Sequence, residues 1–264
     1  MNIFWRELKA NFRSLIIWGF VVVLFVTVGF SKFSAYEGNP ELLVILDSMP
    51  QALLEAFSFE AFNLTTISGF FGVMFTYFAL LLSISAAMWG SDIIAKEERD
   101  RTADFSLSLP VKRSTMITAK TLAALVNCVA LILITLAAVL INSTAYQTDS
   151  EFFSFVYLSM LALFIMQMIF LAVGIFLGAA MRQHRRAGTV AVTVLLLTYF
   201  LSIISGLNEN LEFLQYFSPF KYFNPVTLFQ EAALNTTFLL LSAAIIAACL
   251  IGAYYTFSRR DLYI

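Results

Sequence analysis

The chain has 264 residues, of which 60% are hydrophobic and only 12% charged, with a formal net charge of −1. That length would suit one or two soluble domains. The apolar residues, however, fall in long runs without an ionisable side chain, and this excludes an ordinary soluble fold.

Taken in chain order, residues 2–14, NIFWRELKANFRS, place Ile3, Phe4, Leu8, Phe12 and Leu15 near one helical face, away from Arg6, Lys9 and Arg13. This pattern predicts a helix lying in the membrane interface ahead of the first span. Six apolar segments follow, at about 14–31, 65–91, 121–142, 152–181, 187–208 and 236–258. A bilayer core needs roughly 20 apolar residues per helix, and backbone polar groups in lipid must be satisfied within the segment. The segments do not alternate as barrel strands would. The expected fold class is therefore an all-α membrane protein with six transmembrane helices, forming one transmembrane domain over 1–264. The first apolar run is long for a cleavable leader and no small-residue cleavage site follows it, so it is read as a span.

Six spans put 14 of the 16 basic residues on one side, leaving Lys32 and Lys221 on the other. Lys/Arg bias marks the cytoplasmic face, so both termini are expected there. The outer stretch 41–62 repeats leucines at helical intervals and predicts amphipathic outer helices interrupted near Pro50. Small residues recur in spans two and four: Gly69 and Gly72, Ala86 and Gly90, Gly174 and Gly178. Such spacing lets helices approach closely. The aromatic stretch 207–235, interrupted by Pro219 and Pro225, leaves two readings open: short helices dipping part-way into the membrane, or an interfacial loop with an aromatic belt.

Catalytic chemistry is sparse. No span holds an ionisable side chain of the kind ion-coupled transporters rely on. The single histidine, His184, lies in a basic loop and reads as solvated. Cys128 and Cys249 fall within spans and read as small buried residues rather than a disulfide or metal site. Asn127 and Gln167 are expected to make hydrogen bonds between helices. No phosphate loop of the G-x-x-x-x-G-K-[ST] type occurs. Any ATP-driven work would need another subunit.

The densest charge is Lys96-Glu-Glu-Arg-Asp-Arg101, between spans two and three. Asp92 to Leu107 predicts a short charged helix, stopped at Pro110. Ser114 is then expected to cap the helix of span three. Mixed signs suit a protein surface or simple solvation.

These residues resemble the ABC-2 type permease family, the membrane subunits of ATP-binding-cassette exporters. The likeness rests on Glu97-Glu98, Thr102, Leu107-Ser-Leu109, Pro110-Val111-Lys112-Arg113 and Ala119-Lys120, and on the layout of six spans with an outer helical stretch and a broken segment before the last span. Two features depart from the pattern: Arg101 stands where the family has glycine, and the stretch Ala103-Asp-Phe-Ser106 where leucine is usual. The resemblance implies a coupling segment at 92–113 that docks on an ATPase subunit. Glu97, Glu98, Arg99, Asp100, Arg101, Thr102, Phe105, Leu107, Pro110 and Arg113 would serve it. It also implies a second permease copy or sister permease, surrounding membrane lipid and no nucleic acid as partners, ATP bound by the partner subunit and no cofactor of the chain's own. It implies no enzymatic activity in this chain, and a prokaryotic plasma membrane. A hydrophobic or amphipathic cargo is favoured. The rivals are a membrane sensor or immunity protein, and a secondary transporter that needs no ATPase.

Overall fold

The computed structural model describes residues 3–39, 50, 62–99, 111–181, 183–207 and 209–259. Six long helices carry the chain: α1 (Ile3–Tyr36), α2 (Ile67–Arg99), α3 (Arg113–Ser143), α4 (Ser150–Ala180), α5 (His184–Leu207) and α8 (Thr236–Arg259). Each is long and apolar enough to cross a membrane. Between α5 and α8 lie a 3₁₀ stretch (Glu209–Phe217) and two short helices, α6 (Pro219–Tyr222) and α7 (Pro225–Glu231). No strand occurs among the described residues. The expected all-α fold with six membrane-crossing helices is what the chain forms. The outer stretch 41–62 lies, but for Pro50 and Phe62, outside the described residues.

The helices begin and end where local chemistry directs. Asp149 caps α4 by accepting from the Phe152 amide at 2.8 Å. Asn224 does the same for α7 through the Val226 amide, with Pro225 at the first helical position. At two starts the expectation needs correction. Residues 92–99 do not form a separate charged helix but continue α2 to Arg99, because SDIIAKEER holds no breaker and propagation is easier than a new nucleus. Ser114 does not cap α3: the cap position is Lys112, without a side-chain bond, and Ser114 is already inside the helix. Such boundaries move by a residue at little energetic difference. The N-terminal stretch is likewise continuous with the first span. Its buried stripe is Ile3, Glu7 and Asn11, while Trp5 and Phe12 are exposed.

α2 and α4 run side by side in the same direction at the centre. Their seam is backbone against backbone. A methyl group on Gly174 would lie 2.5 Å from the Ala87 carbonyl oxygen, and one on Gly178 would lie 2.7 Å from that of Ser91; Gly90 is equally tight against Leu171. Only glycine permits this approach. α1 pairs with α3, and just past the end of α3 the Tyr146 hydroxyl donates to the Phe30 carbonyl. α5 packs on α2, and α8 on α4 with Gly252 against the Phe176 ring. Ile3 and Arg259 emerge at the same end of the bundle as the α2–α3 connection, hereafter the terminal end.

The aromatic stretch takes the first of its two readings. Ser218 donates to the Thr198 carbonyl at 2.7 Å. Thr198 lies nine residues before the end of α5, a descent of about 14 Å at 1.5 Å per residue. The chain thus turns back along α5, and Phe220 packs against Tyr199 and Phe170 with centroids 5.3 and 5.5 Å away. α7 then climbs to the far end, where Phe229 meets Phe155 at 5.1 Å. Proline at the start of α6 and α7 fits the first turn of each.

Candidate functional site: the terminal end of α2, α3 and α8

The charged run begins in the last turn of α2, and the described chain resumes at 111, just before the first turn of α3. What these two helix ends touch therefore decides what a force on the run would move.

Three side-chain ties converge there. Lys120, one turn into the apolar part of α3, is 1% exposed, and its ammonium donates to the Ile93 carbonyl of α2 at 2.8 Å. Arg113, the first residue of α3, reaches the Phe257 and Ser258 carbonyls at the end of α8, both at 3.4 Å. A cation at a helix C-terminus satisfies carbonyls without helical partners and is favoured by the helix dipole. Thr118 and Tyr254 share a hydroxyl hydrogen bond of 2.7 Å between α3 and α8. One further bond extends the group to α1: the Trp89 indole donates to the Ser14 hydroxyl at 2.8 Å. Alongside it, Glu7 is buried, pairs with Arg6 at 3.1 Å, and lends its carbonyl to the Asn11 amide.

Of the ten coupling residues expected from the sequence, the structure places the side chain of one. Arg113 is half-buried and directed at α8. Glu97, Glu98 and Arg99 form the last turn of α2. Asp100, Arg101, Thr102, Phe105, Leu107 and Pro110 lie outside the described residues. Lys120 and the Thr118–Tyr254 pair were not among the expected residues. A signal for Lys120 existed: Met116, Ile117, Lys120, Ala123, Ala124, Asn127 and Cys128 recur at the three- and four-residue spacing of a buried stripe. The helix places the cation on the protein-facing side.

Deeper in the bundle the expected bonds of Asn127 and Gln167 are only partly present. Gln167 donates to the Leu82 carbonyl at 3.4 Å, whereas neither polar atom of the Asn127 side chain finds a partner among the described residues. Cys128 and Cys249 are unpaired, on α3 and α8.

Among the described residues the arrangement holds no reacting constellation; it joins helix ends. Side-chain donors fix α3 to α2 on one side and to α8 on the other. The sequence profile of the family described as ABC-2 family transporter protein matches residues 1–262. No curated protein matches the chain. The match spans nearly the whole sequence, and the chain belongs to this family of multi-pass membrane transport components.

Proposed function

We propose that this single transmembrane domain is the permease subunit of an ABC exporter in a prokaryotic plasma membrane. It would move a hydrophobic or amphipathic substrate with ATP hydrolysed by separate ATPase subunits. The ABC-2 permease family generally pairs with such ATPases, and the chain itself offers no phosphate loop to bind ATP. The terminal end is the cytoplasmic one in this reading, since 14 of the 16 basic residues belong to it. A second permease, identical or sister, completes the path.

The observation that carries the proposal is the attachment of the charged run. Residues 96–113 join two helix ends that are tied by Lys120 to each other and by Arg113 and Thr118 to α8. An ATPase gripping the run would therefore move α2, α3 and α8 together, as a rigid-body switch between inward- and outward-facing forms requires. Isolated surface ion pairs contribute only about 0–1 kcal/mol each. Docking accordingly uses several charges at once, and Glu97→Ala alone changes little.

The test is co-purification. The tagged permease in mild detergent is expected to bring down an ATPase in stoichiometric amount. Reversing the charges of Glu97, Glu98, Arg99 and Arg101 together is expected to lose that ATPase, or to leave hydrolysis uncoupled from transport. An ATPase bound equally by both proteins, with transport intact, would remove the run from the coupling role. Absence of any ATPase would overturn the exporter reading.

A further inference from the structure

We propose that a cleft at the far end of α4 binds an ammonium-headed amphiphile entering from the bilayer. The cleft lies between the first three turns of α4 and α7 and encloses about 720 Å³, within the range of small-molecule sites. Its back wall is apolar, from Phe155 and the buried Leu228. Tyr157 and Leu161, exposed by 53% and 49%, open it sideways where lipid would lie. Glu151, Ser154 and Gln230 make its far-end rim polar.

Polarity is graded along the cleft in the way an amphiphile is. From Glu151 to Leu161 is ten residues of helix, about 15 Å. That is half of the roughly 30 Å hydrocarbon thickness, the depth of one leaflet. The head would sit at the rim with the apolar body alongside Tyr157, Leu161 and Phe229.

Charge selects the head. Two polar groups beside it are already engaged: Asp149 accepts from the Phe152 amide, and the Ser154 hydroxyl donates to the Ser150 carbonyl. The Glu151 carboxylate pairs with no described residue, and no cation among the described residues lines the cleft. The surroundings reinforce it. The terminal side of the sequence holds fourteen basic and seven acidic residues, the far side two and ten, a balance of plus seven against minus eight. Lys/Arg bias alone would leave the far side poor in cations; it does not require ten acids there. A field of that sign raises the local concentration of cations and repels anions.

Binding needs no ATPase, so this inference stands or falls separately from the exporter reading. The full chain, in nanodiscs of phosphatidylglycerol, is exposed to a photoreactive dodecylamine and to matched probes with hydroxyl and sulfate heads. The amine is expected to label peptides covering 150–161 and 228–232 at about tenfold lower concentration than the hydroxyl probe, and the sulfate least of all. Glu151→Gln should bring the amine to the level of the hydroxyl probe. Leu161→Trp, which fills the apolar half, should lower labelling by every head. Helix content of both variants is checked by circular dichroism. Equal labelling by the three heads, labelling elsewhere, or an unchanged Glu151→Gln variant would overturn the site. Replacing part of the lipid with phosphatidylethanolamine then identifies the source. Loss of labelling assigns the cleft to the membrane's own aminolipid, and retained labelling to other ammonium amphiphiles.

Discussion

At the terminal end of the bundle, neighbouring helices are joined by directional bonds: Lys120 to Ile93, Arg113 to the last carbonyls of α8, Thr118 to Tyr254, Trp89 to Ser14. At the far end most of the contacts are between rings, beside the bond from the Tyr146 hydroxyl to the Phe30 carbonyl. Phe155 touches Phe62, Phe71 and Phe229, and Phe33 touches Phe70 and Tyr146, with centroids 5.1–6.3 Å apart. A hydrogen bond has one geometry and is lost when helices slide, whereas ring clusters tolerate sliding by trading edge and face contacts. The contrast fits the coupling role proposed for the terminal end. The end that would receive force is keyed in register, and the end that would open is packed by contacts that can rearrange.

The glycine seam joins α2 to α4 beside the terminal ties, since Gly90 lies between Trp89 and Ile93 on α2. Gly174→Val is expected to have the largest effect, at least about 3 kcal/mol, because the clash is with backbone that cannot turn aside. Little monodisperse protein should survive size-exclusion chromatography. A stable Gly174→Val protein would mean that the two helices separate freely, and the comparison of the ends would lose its common frame.

Phe155→Ala removes the ring shared by three others at the far end and should cost about 3 kcal/mol by steric-trap unfolding in bicelles. Amide exchange should rise in α7 and leave residues 113–120 unchanged. Lys120→Met should cost about 2 kcal/mol, the scale of a bond from a charged donor, with exchange rising near Ile93 and the far end unaffected. If either variant loosened both ends equally, the ends would be one cooperative unit rather than two differently held regions.

The helices were legible in the sequence to within a few residues at their far ends, because a span must be long, apolar and free of charge. The terminal ends were less so. Residues 92–99 read as a new element because charge began there, yet charge does not stop a helix when no breaker accompanies it. The aromatic stretch could be recognised as interrupted, but its depth could not be read, since proline positions say where helices start and nothing of what they lean on. The Ser218–Thr198 bond decided it.

Within the site, the charged run was evident from composition, but its anchors were not. Lys120 entered through the Ala119-Lys120 likeness before α2 was seen beside it, and Arg113 as a docking residue before the end of α8 arrived.

The sequence by itself determined six crossings, the segregation of basic from acidic ends and the membership of the family, because each follows from properties read along one dimension. Only the tertiary structure decided which faces meet. Phe20 is 67% exposed and Val22 only 1%, two residues apart in one apolar run. Lipid tails and a protein interior are equally apolar, so hydropathy does not separate the face that packs from the face that meets lipid. Close approach at glycine, ring contacts and a few buried donors make that choice, and these are relations between helices rather than properties of any one of them.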